Sequence, residues 1–166
     1  MELDEVRAVL DALVPVGPVW VAGGWGVDAL VGRVTRPHRD LDLLVRAEDE
    51  RAVLAALDGL GYAVETDWRP VRVELVAPGR GWVDVHPLRF DAVGAAVQAG
   101  LDGAEFSYPA DCFVTGSLAG VEVGCLSVRR QLAFHEGYEP RAVDRHDLAL
   151  LTDLRGPDVN PGGAPR

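Results

Sequence analysis

Two aspartates, Asp40 and Asp42, stand two residues apart in "RPHRDLDLLVR", inside a run whose Leu41, Leu43 and Leu44 read as an apolar strand. A charge there is costly unless something pairs with it. In a strand, alternate residues share a face and each step rises about 3.3 Å, so the two Cα atoms lie about 7 Å apart and both carboxylates can converge on one point. Two carboxylates that close repel, and one of them is pushed towards its protonated form unless a cation lies between them. Mg²⁺ suits such a place, since it is held by one or two carboxylates while substrate phosphates fill other positions. A DxD is common by chance and, taken alone, reads first as a strand-end cap beside a residue facing water, so its surroundings decide.

Upstream, "VWVAGGWGVDALVG" reads as strand, Gly23-Gly24 turn and helix. Glycines let the backbone come close to a phosphate, and the first amides of a helix are free to bind it. Downstream, Asp84 stands between Val83 and Val85 in "GWVDVHPL", another charge inside a β run, with His86 two residues on and therefore on the same face. Asp84 alone is equally an exposed strand residue and Gly-Gly alone a plain strand-to-helix turn, but three acids placed in this way beside that turn are harder to dismiss.

Those residues need a framework. Leu3, Val6, Leu10 and Leu13 predict a helix over 3–14, ended by Pro15-Val16-Gly17-Pro18. A strand over 19–22, a short helix through Leu30, a strand over 40–46 and a helix stopped by Gly59 and Gly61 follow. From Tyr62 to about Leu88 the pattern becomes β-rich, in "YAVET", "VRVELVA" and "GWVDVHPL", separated by Pro70 and by "PGRG". Residues 89–111 read as loop mixed with a short helix. "DCFVTGSLAGVEVGCLS" predicts two strands turning at Ala119-Gly120, and residues 127–154 a closing helical pair. Early β/α alternation followed by hairpins and C-terminal helices predicts an α+β domain around a mixed β-sheet flanked by helices. It is expected as a single domain over 1–155, with a flexible tail over 156–166.

The chain of 166 residues is 48% hydrophobic and 25% charged, values of a soluble globular protein with a sizeable core. No apolar run approaches the roughly 20 residues of a membrane span. "MELDE" lacks the basic segment of a signal peptide, so a cytoplasmic location is expected. Cys112 and Cys125 are too few for a disulfide framework and read as buried thiols. A formal charge of −10, with its arginines scattered singly, disfavours nucleic acid and membrane partners and suits a cationic small molecule.

Three segments, "GGWGVDALVGRVTRPHRDLDLLV", "DWRPVRVELVAPGRGWVDVHPL" and "QLAFHEGYEPRAVDRHDLALL", together resemble the small lincosamide nucleotidyltransferases in order, spacing and overall length. That family belongs to the DNA polymerase β-like nucleotidyltransferase superfamily. The first segment is shared in outline with aminoglycoside 2''-adenylyltransferases, whereas the "DxHP" and "FHxGY" elements lean towards the lincosamide group.

The resemblance implies a nucleotidyltransferase fold and Mg²⁺-dependent transfer of AMP from ATP to a hydroxyl of a small antibiotic, inactivating it. A lincosamide is the first acceptor it implies, with an aminoglycoside or an endogenous metabolite as the alternative; a non-catalytic nucleotide-binding module is the third reading. Carried over by position, Asp40, Asp42 and Asp84 would form the metal site, and Asp84 would also act as general base. Gly23 and Gly24 would present amides to the triphosphate, assisted by Arg36 and His38, with Trp25 packed beside the nucleotide. His86 orients substrate or Asp84, or is a structural histidine. Arg72, Glu74 and Trp68 are expected on the acceptor side, while His135 and Tyr138 fill the gap between helices or line the acceptor pocket and Asp144 caps the last helix. The expected partners are the antibiotic and the nucleoside triphosphate, and a homodimer is compatible with the resemblance.

Overall fold

A computed structural model describes residues 1–155, so the tail expected over 156–166 lies outside the described residues. The amphipathic helix α1 (Leu3–Leu13) buries Val6, Val9 and Leu13. It leads into β1 (Val19–Val21), α2 (Gly23–Val31), β2 (Asp40–Arg46) and α3 (Glu50–Gly59). The β-rich stretch forms β3 (Ala63–Trp68), β4 (Arg72–Ala77) and β5 (Gly81–Phe90). After β6 (Ala96–Ala99) and β7 (Glu105–Tyr108) come β8 (Phe113–Leu118) and β9 (Val121–Leu126), then α4 (Val128–Ala133) and α5 (Ala142–Arg155).

Among the described residues the strands form one mixed sheet in the order β3-β4-β5-β2-β1-β9-β8, with β6 and β7 added alongside the far end of β5. The central pair, β2 and β5, is parallel. Period two divides the chemistry of these two strands between their faces. Leu41, Leu43 and Val45 of β2 and Val83 and Val85 of β5 enter the main core, together with residues of α1 and α3. The even-numbered residues face the other way: Asp40 and Asp42, then Leu44, on β2, and Trp82, Asp84, His86 and Leu88 on β5. On that face Leu44 and Leu88 join a second, smaller cluster with Tyr108, Cys112 and Leu126. A one-residue slip of β2 would bury two charges in the main core, which fixes its register.

The reading of residues 89–111 as loop mixed with a short helix is corrected in part: short helical turns stand at Leu101–Gly103 and Ala110–Cys112, but β6 and β7 form an antiparallel ribbon continuing from β5. Each strand has four residues, too few to show a period, and Gly94, Gly100 and Gly103 with positive-φ Asp102 interrupt the stretch as a loop would. The turn at Ala119-Gly120 is present, with φ of 49° and 82°. Cys112 and Cys125 are buried free thiols. Among the described residues no helix is long and apolar enough to cross a membrane.

Candidate active site

Parallel pairing sets Asp42 directly opposite Asp84, and one ligand atom each from Asp42, Asp84 and His86 lie within 4.8 Å of one another. Asp40 faces the same cleft one step along β2, with its carboxylate accepting from Arg39 Nε at 3.1 Å. The Gly23-Gly24 turn closes against them. Gly23 has a φ of 56°, and a Cβ there would run into the carboxylate of Asp42; a Cβ on Gly24 would collide with His38 and Arg36. Only glycine allows the start of α2 to sit this close to the acids. Ala22, the N-cap of α2, supplies no side-chain cap, so the first amides of the helix remain available to an anion. Ala22 N donates to Asp42 O at 3.0 Å, and Gln131 Nε2 to Gly23 O at 3.3 Å, fixing the turn from both sides.

Asp84 is 3% exposed, and its carboxyl is pushed up to about 6, first by burial and then by the neighbouring charge of Asp42. Arg72 opposes that shift by donating Nη1 to Asp84 Oδ2 at 2.6 Å. The second oxygen, Oδ1, is buried and has no hydrogen-bond partner among the described residues. An orphaned carboxylate oxygen beside a second carboxylate is the donor set that a hard divalent cation satisfies, so these residues fit Mg²⁺.

The cleft, of about 630 Å³, is lined by Gly23, Gly24, Arg36, Asp40, Asp42 and Asp84, and by residues to which the sequence assigned no place in the site. Gln98, Phe106 and Tyr108 come from the misread ribbon; Gln131, Phe134 and Asp147 come from the closing helices. His135 and Tyr138 line it as well. Arg36 reaches the cleft but is already held by Asp147, to which Nε and Nη2 donate at 2.8 and 2.6 Å. Asp144 binds the backbone N–H of Arg141 at 2.8 Å, closing the first turn of α5.

Two residues expected beside the nucleotide lie behind the turn. Trp25 is 2% and His38 6% exposed, and neither lines the cleft. Their rings lie 4.4 Å apart, and His38 Nε2 meets Asp28 Oδ2 at 2.5 Å while Asp28 Oδ1 accepts from Thr35 N and Oγ1. Apolar burial of Trp25 and the buried His38–Asp28 pair anchor the connector beneath Gly24, so they shape the turn from behind. Glu74 is likewise committed, accepting from Arg39 and Thr66 at 3.4 and 3.3 Å, and it does not line the cleft.

Residues 3–151 match the family described as aminoglycoside-2''-adenylyltransferase. A lincosamide resistance protein of Staphylococcus haemolyticus is 34% identical over 135 residues, 81% of this chain and 84% of that protein. A 2''-aminoglycoside nucleotidyltransferase of Escherichia coli is 46% identical over 47 residues, 28% of this chain and 27% of that protein. Among solved structures, the lincomycin-bound lincosamide antibiotic adenylyltransferase LnuA superposes with a TM-score of 0.85 at 32% identity, covering 93% of this chain and 98% of that one.

Proposed function

The chain belongs to the aminoglycoside-2''-adenylyltransferase family, and from that membership and its site we propose that it transfers AMP from ATP to a hydroxyl of a lincosamide antibiotic, with Mg²⁺. Its relatives make it a nucleotidyltransferase. The observation that carries the reading is the Asp42–Asp84 pair, in register across two parallel strands, with Asp84 Oδ1 buried and unpartnered next to the open N-terminus of α2.

Asp42 and Asp84, with Asp40 beside them, would hold Mg²⁺, which when bound neutralises charge on the triphosphate and the departing pyrophosphate. The amides opening α2 bind phosphate oxygens, and the glycines let them approach. Asp84 accepts the proton of the acceptor hydroxyl as its oxygen attacks the α-phosphorus in line; an O–P bond forms, the bond to the bridging oxygen breaks, and pyrophosphate leaves. Arg72 keeps the second oxygen of Asp84 engaged and its orientation fixed.

The acceptor reading rests on two supports. In sequence, the lincosamide resistance protein is matched over 81% of this chain, whereas the aminoglycoside nucleotidyltransferase is matched over 28%. The cleft also carries Phe106, Phe134 and Tyr138, apolar surface suited to an amphipathic acceptor. An aminoglycoside remains the second reading, favoured by the description of the matching family.

Pyrophosphate release from ATP and Mg²⁺, run in parallel with lincomycin, clindamycin, kanamycin and no acceptor, tests the proposal, with products weighed by mass spectrometry. An added AMP mass on the lincosamides alone is expected. Addition to kanamycin alone would move the acceptor to the aminoglycosides, and none on any acceptor would overturn the reaction.

A further inference from the structure

We propose that His86 is a positioning residue for Asp42, locked in one tautomer by Gln98, and is not a ligand in the metal site; this rests on the nucleotidyltransferase reading given above. Proximity alone would make it a ligand, because its ring nitrogen lies within 4.8 Å of the oxygens of Asp42 and Asp84. The hydrogen bonds behind it say otherwise.

Gln98 is 8% exposed, and its amide is oriented by partners on both ends. Tyr108, 2% exposed, donates its hydroxyl to Gln98 Oε1 at 2.5 Å. Gln98 Nε2 lies 3.4 Å from the carbonyl of Val71, a group that can only accept, and 3.1 Å from His86 Nδ1. A flipped amide would set its oxygen against the Val71 carbonyl, so Nε2 is the atom facing His86, and it donates to Nδ1. A nitrogen that accepts carries no proton. His86 therefore keeps its single proton on Nε2, which lies 3.3 Å from Asp42 Oδ1 and donates to it.

The consequence is a division of labour within each carboxylate. Asp42 Oδ1 is occupied by His86, and Asp84 Oδ2 by Arg72. That leaves Asp42 Oδ2, which packs against Gly23, and the orphaned Asp84 Oδ1. With a nitrogen excluded, the remaining donors are all oxygens, the set that suits Mg²⁺ over nitrogen-seeking transition metals. Removing a donor that orients a metal-holding carboxylate commonly costs about 10–100-fold in metal affinity or activity. Gln98 and Tyr108 lie on β6 and β7, so the ribbon serves as the support of the acid on β2.

Long-range ¹H–¹⁵N NMR of ¹⁵N-histidine-labelled protein, free of metal and then with excess Mg²⁺ and ATP, reads the tautomer directly. The expected spectrum has the His86 proton on Nε2 in both conditions. A proton on Nδ1, or loss of the Nε2 proton when metal is added, would overturn the proposal. Kinetics give a second reading. Gln98→Glu replaces the donor with an acceptor and should lower kcat by about 10–100-fold with little change in the KM of the acceptor, while His86→Gln, which keeps an N–H for Asp42, should retain more activity than His86→Ala. Equal losses in the two His86 variants would count against a donor role. Should no acceptor be adenylylated at all, the reaction fails but the NMR result still decides the tautomer.

Discussion

At the scale of single residues, the site is a place where stability has been yielded to chemistry. Burial and Asp42 push the Asp84 carboxyl up to about 6, so its folded-state value is above its ordinary one. The neutral form is the one folding favours, and the associated stability is present at low pH and lost as pH rises through about 6. Asp84→Asn mimics the neutral form. It should abolish turnover and, without metal, make the protein more stable than the wild type at pH 8 by about 1–3 kcal/mol while leaving the two alike at pH 4. Urea unfolding in EDTA at both pH values measures this; an equally large gain at pH 4 would assign the effect to something other than the charge. These acids were legible in the sequence because a charge at every second position of an apolar strand breaks the pattern that burial imposes. His86 was visible but its role was not, since that is set by Asp42, 44 positions away on another strand, and by Gln98, 12 positions away on a ribbon whose strands are too short to read.

At the scale of elements, the Gly-Gly turn is the joint between β1, the acids and α5. Gly24→Ala would force apart His38 and Arg36, and the amides opening α2 would shift with them. The expected result is a rise of about tenfold or more in the KM for ATP with the fold retained, the scale of a misplaced phosphate cradle; unchanged KM would remove Gly24 from phosphate binding. Arg36 ties the same turn to α5 through Asp147, with side chains 20% and 5% exposed. The more buried partner is the costlier to strand. Arg36→Ala, which leaves the Asp147 charge unpaired, should therefore destabilise more than Asp147→Ala, by about 1–3 kcal/mol in a thermal or urea melt. The reverse order would show that Arg36 is the poorly solvated member. The strand over 40–46 and the helix after the turn were readable from period and glycine placement. The contact with α5 was not, because the pairing of Arg36 with a residue over a hundred positions away leaves no local trace.

At the scale of the whole molecule, one sheet face carries stability and the other carries function. Alternation in β2 and β5 encodes that split, so the mixed fold and its acid-bearing face could be anticipated, whereas the ribbon that completes the cleft could not, its strands being too short to show alternation. The net charge of −10 then acts over the whole surface. It attracts a cationic acceptor and repels the anionic nucleotide, which must rely on the local arginines and the amides of α2. Salt screens both fields, with a Debye length of about 8 Å at physiological ionic strength. Rising NaCl should therefore lower kcat/KM for the acceptor, more steeply for a polycationic aminoglycoside than for a singly charged lincosamide, while leaving the KM for ATP flat or reduced. Steady-state kinetics in a salt series, with the other substrate saturating, separates the two. If both substrates weakened together with salt, the arginines at the cleft would dominate the field, and the acidity of the rest of the surface would have no part in drawing the acceptor in.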